Sequence, residues 1–355
     1  MHILLVRFSS MGDVVLQTAT VNWLKSLYGE HISISFVTSK EFASLVENHS
    51  HVNKVFVYDR RGNESWSDFV KQIKAFHKTN PIDLILDVHA TMRSLKLRMG
   101  LWTIPALTVD KRRWERFLLT KLKGVFFKRL ISKKIFGLEP QVIRILNDIE
   151  KIFLDRRAAQ KTIDFVKGKN HQLTSLGKLP EYEIEGEYVV LAPSASFDPK
   201  RWPISSFVEL AKQMLMETNY KIVILAGPSD DFCEAFKGIT DSRLLNLQGK
   251  TSLKESMSIL SKAKFSIGND SGMNHIAEAY GVACLTIFGP TDPRFGFAPH
   301  GIKSRYISKE LWCKPCSTTG SKKCFRDRLY CMEEISVAEV MQTFKAMEQN
   351  NVHTL

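Results

Sequence analysis

The feature that most constrains the fold is an alternation of short apolar segments with helical stretches, which runs through the chain twice. Strands that alternate with helices indicate a parallel sheet with helices on both faces. Glycine and proline among charged residues interrupt the pattern at 168–187, where we predict a linker. The sequence therefore predicts two doubly wound α/β halves, which bind ligands at the carboxyl ends of their strands in an interdomain cleft. The predicted strands are 3–7, 32–38, 52–58 and 82–88 before the linker, and 188–192, 221–226, 265–268 and 283–288 after it.

The length of the chain agrees with this division, because 355 residues are more than one ordinary core holds. Hydrophobic residues make up 44% of the chain and charged residues 25%, a balance that excludes a disordered protein. We predict domains at 1–175 and 176–340, followed by a C-terminal helix and tail at 341–355. The first residues do not read as a secretory signal, and no segment approaches the roughly 18 apolar residues of a membrane span. We therefore expect a cytoplasmic protein.

Polar residues follow the strand 265–268, where the segment 270–275 (Asp-Ser-Gly-Met-Asn-His) opens a helix. A helix N-terminus presents free N–H groups and binds phosphate, and Gly272 lets a ligand approach the backbone closely. Ser271 can donate to a phosphate oxygen. In the alternative interpretation, Asp270 or Ser271 only caps the helix.

Two further turns carry candidate residues. After the strand 188–192, small residues including Ser194 and Ser196 precede Lys200, a composition that suits a diphosphate or, alternatively, a solvated basic loop. After the first strand, Asp13 stands at a helix start, where it is either a cap or a general base. The segment 289–293 (Gly-Pro-Thr-Asp-Pro) predicts a fixed turn.

Four motifs in this order resemble those of glycosyltransferase family 9, which contains the heptosyltransferases of lipopolysaccharide core synthesis. The resemblance runs from residue 3 to about residue 341. It implies a GT-B fold of two Rossmann-like domains, the first binding the acceptor and the second the nucleotide sugar, and an inverting transfer that requires no cofactor. The motifs are Arg7-x-Ser9-Ser10-x-Gly12-Asp13, Lys200-Arg201-Trp202-Pro203, Gly268-Asn269-Asp270-Ser271-Gly272-x-x-His275 and Phe288-Gly289-Pro290-Thr291-Asp292-Pro293.

The resemblance also implies residue roles. Asp13 falls on the general base that activates the acceptor, while Lys200 and the helix N-terminus at Ser271 and Gly272 stabilise the departing diphosphate. The ribose-binding carboxylate falls on Asp231, with Asp230 equally plausible. Thr251 stands where some relatives have a methionine near the adenine, which leaves the exact donor open. The donor-binding set is Ser194, Ser196, Lys200, Asp231, Asp270, Ser271, Gly272 and His275, and the acceptor-binding set is Ser9, Ser10, Gly12 and Arg93.

The partners implied are a nucleotide-sugar donor, ADP-heptose, and an acceptor of lipopolysaccharide core or lipid A. The chain carries 50 Lys and Arg against 37 Asp and Glu, a net charge of +13 that attracts polyanions. Basic residues interleave with hydrophobic ones at 111–134, which fits contact with an anionic membrane. We therefore expect the protein to lie at the periphery of the inner membrane, although an ordinary amphipathic helix gives the same pattern.

The spacing Cys313-x2-Cys316-x7-Cys324-x6-Cys331 stands apart from these motifs. Its first pair has zinc-ligand spacing, and four cysteines could hold a structural zinc ion. Reduced structural thiols and a labile disulfide are the alternatives. Cys233 and Cys284 are predicted to be core residues.

Other protein classes fit less well. The positive charge would also suit a nucleic-acid-binding or membrane-binding protein without catalysis, but no recognised nucleic-acid module accompanies it, and we expect no nucleic-acid partner. A Rossmann oxidoreductase would carry Gly-x-Gly-x-x-Gly after its first strand, and this chain does not.

Overall fold

The computed structural model describes residues 1–62, 64–110, 113–121 and 179–352. These residues belong to two compact units, one within Met1–Lys111 and the other within Leu179–Leu355, and the second also includes the helix Arg113–Lys121. The predicted boundary near residue 175 and most of the basic segment 111–134 lie outside the described residues. Within those ranges, no helix is both long and apolar enough to cross a membrane.

The first unit is a parallel sheet flanked by helices. In the strand His2–Val6, the four residues after His2 are all apolar and buried, as expected for a central parallel strand. The helix Trp66–Thr79 begins where the Ser65 hydroxyl accepts the Asp68 N–H, and it buries Phe69, Val70 and Ile73. In chain order the elements are β1 (His2–Val6), α1 (Met11–Tyr28), β2 (Ser33–Ser39), β3 (Lys54–Tyr58), α2 (Trp66–Thr79), β4 (Leu84–Asp87), α3 (Met92–Gly100) and β5 (Ala106–Thr108).

The second unit repeats this architecture with six strands. Its core lies between the sheet and the helices, with Trp202, Phe207, Phe265 and Phe344 among the fully buried side chains. Its elements are α4 (Arg113–Lys121), β6 (Tyr188–Ala192), α5 (Ile204–Glu217), β7 (Lys221–Ile224), β8 (Leu244–Asn246), α6 (Leu253–Lys262), β9 (Phe265–Asn269), α7 (Gly272–Ala279), β10 (Ala283–Phe288), β11 (Arg305–Ser308), α8 (Tyr330–Glu333) and α9 (Val337–Val352).

The strand orders are β3-β2-β1-β4-β5 and β11-β10-β9-β6-β7-β8, and every neighbouring pair is parallel. The chain reverses its direction of winding between β1 and β4 in the first sheet, and between β6 and β9 in the second. Ligands of doubly wound sheets bind at the carboxyl ends of the strands beside such a switch point. The predicted polar segments after β1, β6 and β9 all lie at these ends.

Two features differ from the sequence prediction. The strands β5, β8 and β11 are not predicted, because three or four residues at or near a sheet edge give no clear apolar run. The C-terminal helix α9 begins at Val337 rather than at 341, and it packs into the second core through Val340, Met341, Phe344 and Met347.

Candidate active site

Asp13 lies in the first turn of α1, directly after β1. Its carboxylate accepts the backbone N–H of Ser10 at 3.2 Å and the Ser10 hydroxyl at 2.9 Å. It also pairs with the guanidinium of Arg7, whose Nη2 lies 2.5 Å from Oδ2. Burial would raise the pKa of Asp13, but the Arg7 charge and the Ser10 hydrogen bonds outweigh burial, so the pKa lies below its usual value. The carboxylate is therefore ionised at neutral pH.

Arg7 belongs to the first motif, but the sequence did not indicate a role for it. It is only 4% exposed, and its Nη1 donates to the Val88 carbonyl at 2.7 Å, just beyond β4. Because β1 and β4 are neighbours, this bond fixes the guanidinium that holds Asp13. The signal available in the sequence was a charged residue directly after a fully apolar strand.

The remaining predicted acceptor residues surround this turn. Gly12 is buried in the first turn of α1, Ser9 is half-buried, and Ser10 is exposed. Arg93 lies in the first turn of α3 and places its guanidinium 5.5 Å from the centre of the Phe8 ring. The structure thus brings Arg93 to the same end of the sheet as the residues after β1.

Two motifs of the second unit meet at Asn269, the last residue of β9. Its side-chain oxygen accepts the backbone N–H of Trp202 at 2.9 Å, and its side-chain nitrogen donates to the Pro193 carbonyl at 2.6 Å. These bonds hold the loops after β6 and before α5 against the end of β9. They bring Lys200 next to Asp270, although the two residues are far apart in the chain.

Lys200 and Asp270 form an ion pair, with Nζ 2.8 Å from Oδ2, and both side chains are largely buried. The same carboxylate oxygen accepts the hydroxyl of Thr291 at 2.9 Å. Thr291 belongs to the Gly-Pro-Thr-Asp-Pro turn after β10, so that turn orients Asp270. The sequence motif alone did not indicate this role for Thr291.

Ser271 is the N-cap of α7, and its hydroxyl makes no hydrogen bond to the helix. Its Oγ is buried without a hydrogen-bond partner in the described part of the chain. A buried hydroxyl without a partner is costly, and at a helix N-terminus it suits an anionic ligand. Gly272 follows as the first residue of α7. His275 lies one turn further, half-buried, with its ring 6.4 Å from that of Phe297.

Ser194 donates its hydroxyl to the Asp230 carboxylate at 2.6 Å, and Asp230 also accepts the Gly227 N–H at 2.8 Å. The guanidinium of Arg201 lies 3.6 Å from the other oxygen of Asp230. Asp231 is exposed, as is Ser196. Of the two carboxylates that the sequence left open, the structure therefore places Asp230, not Asp231, beside Ser194.

The four clustered cysteines line one cavity in the segment between β11 and α9, together with Pro199 and Pro290. Burial raises the pKa of the Cys331 thiol to about 12. Within the described ranges, no group of three or more His, Cys, Asp or Glu side chains is arranged to hold a metal ion. All six cysteines lie in those ranges and none is in a disulfide, with Cys233 and Cys284 buried as predicted.

With its two Rossmann-like units, the chain has the GT-B fold of glycosyltransferases. A solved E. coli ADP-heptose lipopolysaccharide heptosyltransferase II shares this fold, with a TM-score of 0.66 and 18% identity over 99% of both chains. The chain belongs to glycosyltransferase family 9 (heptosyltransferase), whose family model matches residues 131–324.

Curated relatives match over different lengths. Lipopolysaccharide heptosyltransferase 1 of Pseudomonas aeruginosa is 22% identical over 372 aligned positions, which cover 98% of each chain. Lipopolysaccharide heptosyltransferase 2 of Salmonella typhimurium is 31% identical over 129 positions, which span only 35% of this chain and 36% of that protein.

Proposed function

We propose that this protein is an inverting glycosyltransferase that moves a heptose, or a related sugar, from an ADP-sugar to a lipopolysaccharide core acceptor. The observation that carries the proposal is the unpartnered Ser271 hydroxyl at the N-terminus of α7, next to the Lys200–Asp270 ion pair. Family membership supports the reaction class. The solved structure of E. coli heptosyltransferase WaaC with ADP has the same fold at 20% identity, and it supports an ADP-sugar as the donor.

At the donor end, the backbone N–H groups of the first turn of α7 and the Ser271 hydroxyl would contact the diphosphate. Lys200 would supply the positive charge that offsets the negative charge growing on the leaving group as the sugar–oxygen bond breaks. Asp270 orients Lys200, and Thr291 orients Asp270. We assign the ribose contact to Asp230 rather than Asp231, because Asp230 lies beside Ser194. Ser196, Gly272 and His275 complete the proposed donor set.

At the acceptor end, Asp13 would take the proton from the attacking hydroxyl as the new sugar–oxygen bond forms. Arg7 keeps this carboxylate ionised and fixed in direction. Ser9, Ser10, Gly12 and Arg93 would bind the acceptor around it, and Arg93 offers a cation to acidic groups on that acceptor. No step in this scheme requires a bound metal ion.

The experiment that tests the function is a transfer assay with a panel of nucleotide sugars and short core acceptors, read by mass spectrometry. We expect an ADP-sugar to be consumed and one glycosyl unit to be added to the acceptor. If none of the donors is hydrolysed or used for transfer, and the protein binds nucleic acid in a salt-sensitive way, the non-catalytic interpretation is favoured instead.

We also propose that the first unit contacts an anionic membrane surface, through α3 rather than through 111–134 alone. The side chains of Met92, Leu95 and Met99 follow one another at helical spacing on α3 and are exposed. Trp102, two residues past the end of the helix, continues this apolar surface and is 80% exposed. Arg93 and the exposed Lys96 alternate with them. An exposed apolar stripe edged by cations is typical of a helix that lies in an anionic lipid interface. Because Arg93 lies in the first turn of α3, a lipid-anchored acceptor would arrive near its proposed binding residues.

Vesicle binding tests this surface. Replacing Met99 and Trp102 together by Ser should reduce binding to phosphatidylglycerol vesicles while leaving transfer to a short soluble acceptor unchanged. Met216→Ser is the matched control, because Met216 is 76% exposed on α5 in the other unit. Equal vesicle binding by the double variant and the control would exclude α3 as the membrane contact.

For the cysteines, we propose a structural role and not a catalytic one, with zinc as the metal if one binds. The four thiols line one cavity but are not arranged as a ligand set, so zinc would have to draw them together to Zn–S distances of about 2.3 Å. About one zinc per chain by metal analysis is the expected result. A chelator should then lower the melting temperature before it lowers the rate. The absence of metal, with freely titrating thiols, would leave reduced structural cysteines.

A further inference from the structure

Gly320, in the cysteine-rich loop 313–331, lies directly against the side chain of Lys200. A Cβ atom added at Gly320 would overlap Cγ and Cδ of Lys200. Gly320 has a φ of +82°, a backbone conformation that glycine adopts at no steric cost. The loop backbone therefore forms one wall along the alkyl chain of the lysine, at a point where any side chain would overlap the lysine in its present position.

The loop is fixed where it meets Lys200. The buried hydroxyl of Ser317 accepts the backbone N–H of Gly320 at 2.9 Å and that of Thr319 at 3.4 Å. Further back, the Cys316 N–H donates to the Pro290 carbonyl at 3.2 Å. Pro290 belongs to the same turn as Thr291, which orients Asp270. The loop that carries Gly320 and the Asp270 carboxylate that pairs with Lys200 are thus both held by the turn after β10.

This arrangement matters because a lysine side chain has four flexible bonds and loses much conformational entropy when it is ordered. Asp270 holds only the charged end of Lys200. The backbone of Gly320 restricts the stem, so the ammonium group is kept at the N-terminus of α7 and not at another point within its reach. Pro199, the neighbour of Lys200, lines the same cavity as the four cysteines.

We propose that Gly320 is a positioning residue for Lys200, so that the cysteine-rich loop sets the affinity for the diphosphate of the donor. The inference rests on the proposed role of Lys200 in phosphate binding. Through Lys200, Gly320 would contribute to the binding of the phosphate part of the ligand and not to the binding of the nucleoside. A loop that merely stabilised the fold would affect ADP and adenosine equally.

The test compares Gly320→Ala with Gly186→Ala by calorimetry with ADP and with adenosine. Gly186 has a φ of +79°, close to that of Gly320, but nothing lies within 4 Å of a Cβ added there. The two variants therefore carry similar strain from a positive φ, and only Gly320→Ala displaces the lysine. We expect Gly320→Ala to weaken ADP binding about tenfold, the loss of one hydrogen bond to a charged group. Adenosine binding should be unchanged, and Gly186→Ala should change neither.

A cycle with Lys200→Ala makes the result specific. Lys200→Ala alone should weaken ADP binding about tenfold to a hundredfold, and adding Gly320→Ala should weaken it no further. If Lys200→Ala leaves ADP binding unchanged, both the proposed phosphate role and this inference fail. If Lys200→Ala weakens ADP binding but Gly320→Ala matches Gly186→Ala, or if the two losses add, only this inference fails. Ser317→Ala, which removes the acceptor that holds Gly320, should act in the same direction and decides the case if Gly320→Ala does not fold.

Discussion

The two strand-to-helix turns after β1 and β9 have similar local structure but opposite chemistry. Each follows a buried parallel strand, and each has a serine at the N-cap of the next helix. After β1, the Asp13 carboxylate is held by Arg7 and by both donors of Ser10. After β9, the Ser271 hydroxyl is buried and has no hydrogen-bond partner among the described residues. A turn that satisfies its own polar groups holds a charge in place, whereas a turn that leaves a donor unpaired suits an outside anion.

This contrast divides the proposed chemistry between the units. The first turn would supply a base of fixed direction, and the second would bind the leaving group. Substitutions in the first turn should therefore change turnover and its pH dependence. Substitutions in the second should change affinity for the diphosphate.

The largest effect is expected for Asp13→Asn, which keeps the size of the side chain but removes the base. Turnover should fall roughly a hundredfold or more, the size of general-base effects, with ADP affinity unchanged. Steady-state kinetics and calorimetry measure the two quantities. Asp87→Asn is the control, because Asp87 ends β4 at the same sheet edge and also pairs with an arginine, Arg98, at 3.1 Å. Asp87→Asn should lower the free energy of unfolding more than it lowers turnover. Near-normal turnover by Asp13→Asn would refute the base assignment.

A smaller effect should follow from Arg7→Gln. The wild-type pKa of Asp13 is lowered, so kcat/KM should decline only at low pH, as the carboxylate becomes protonated. Without the Arg7 charge the pKa of Asp13 should rise, and the acidic limb of the pH profile should move to higher pH. The melting temperature should also fall, because the Val88 carbonyl loses its donor. A lower melting temperature with an unmoved acidic limb would show that Arg7 serves only the fold.

The smallest effect is expected for Ser271→Ala. Removing an unpartnered buried hydroxyl should leave stability unchanged or slightly raised, while ADP binding should weaken by about 0.5–1.5 kcal/mol, roughly twofold to twelvefold. Ser266→Ala is the control and should have the opposite effect, because the buried Ser266 hydroxyl in β9 donates to the side-chain oxygen of Asn274 in α7 at 2.9 Å. Ser266→Ala should lower the free energy of unfolding and leave the affinity for ADP nearly unchanged. If Ser271→Ala destabilises the protein without weakening ADP binding, Ser271 is only a helix cap.

The central strands and the positions of the polar turns could be predicted from the sequence. Apolar runs such as 188–192 and 283–288 are long enough to identify a buried strand, and a polar residue directly after such a run must lie at the carboxyl end of a sheet. The identities of Asp13, Lys200 and Asp270 as candidate residues followed from this local pattern and from the motif order. The strands β5, β8 and β11 could not be found, because their short and partly exposed runs carry no clear period.

Only the tertiary structure decided which of these residues meet. Asn269 joins the loops near Pro193 and Trp202, Arg7 reaches Asp13 while anchored at Val88, and Asp230 rather than Asp231 lies beside Ser194. The contact of Gly320 with Lys200 is of the same kind. Sequence periodicity records which face of an element is buried, because that is a local property of the chain. Contacts between distant loops depend instead on the order of strands in each sheet, which the crossover connections set only when the whole unit has packed.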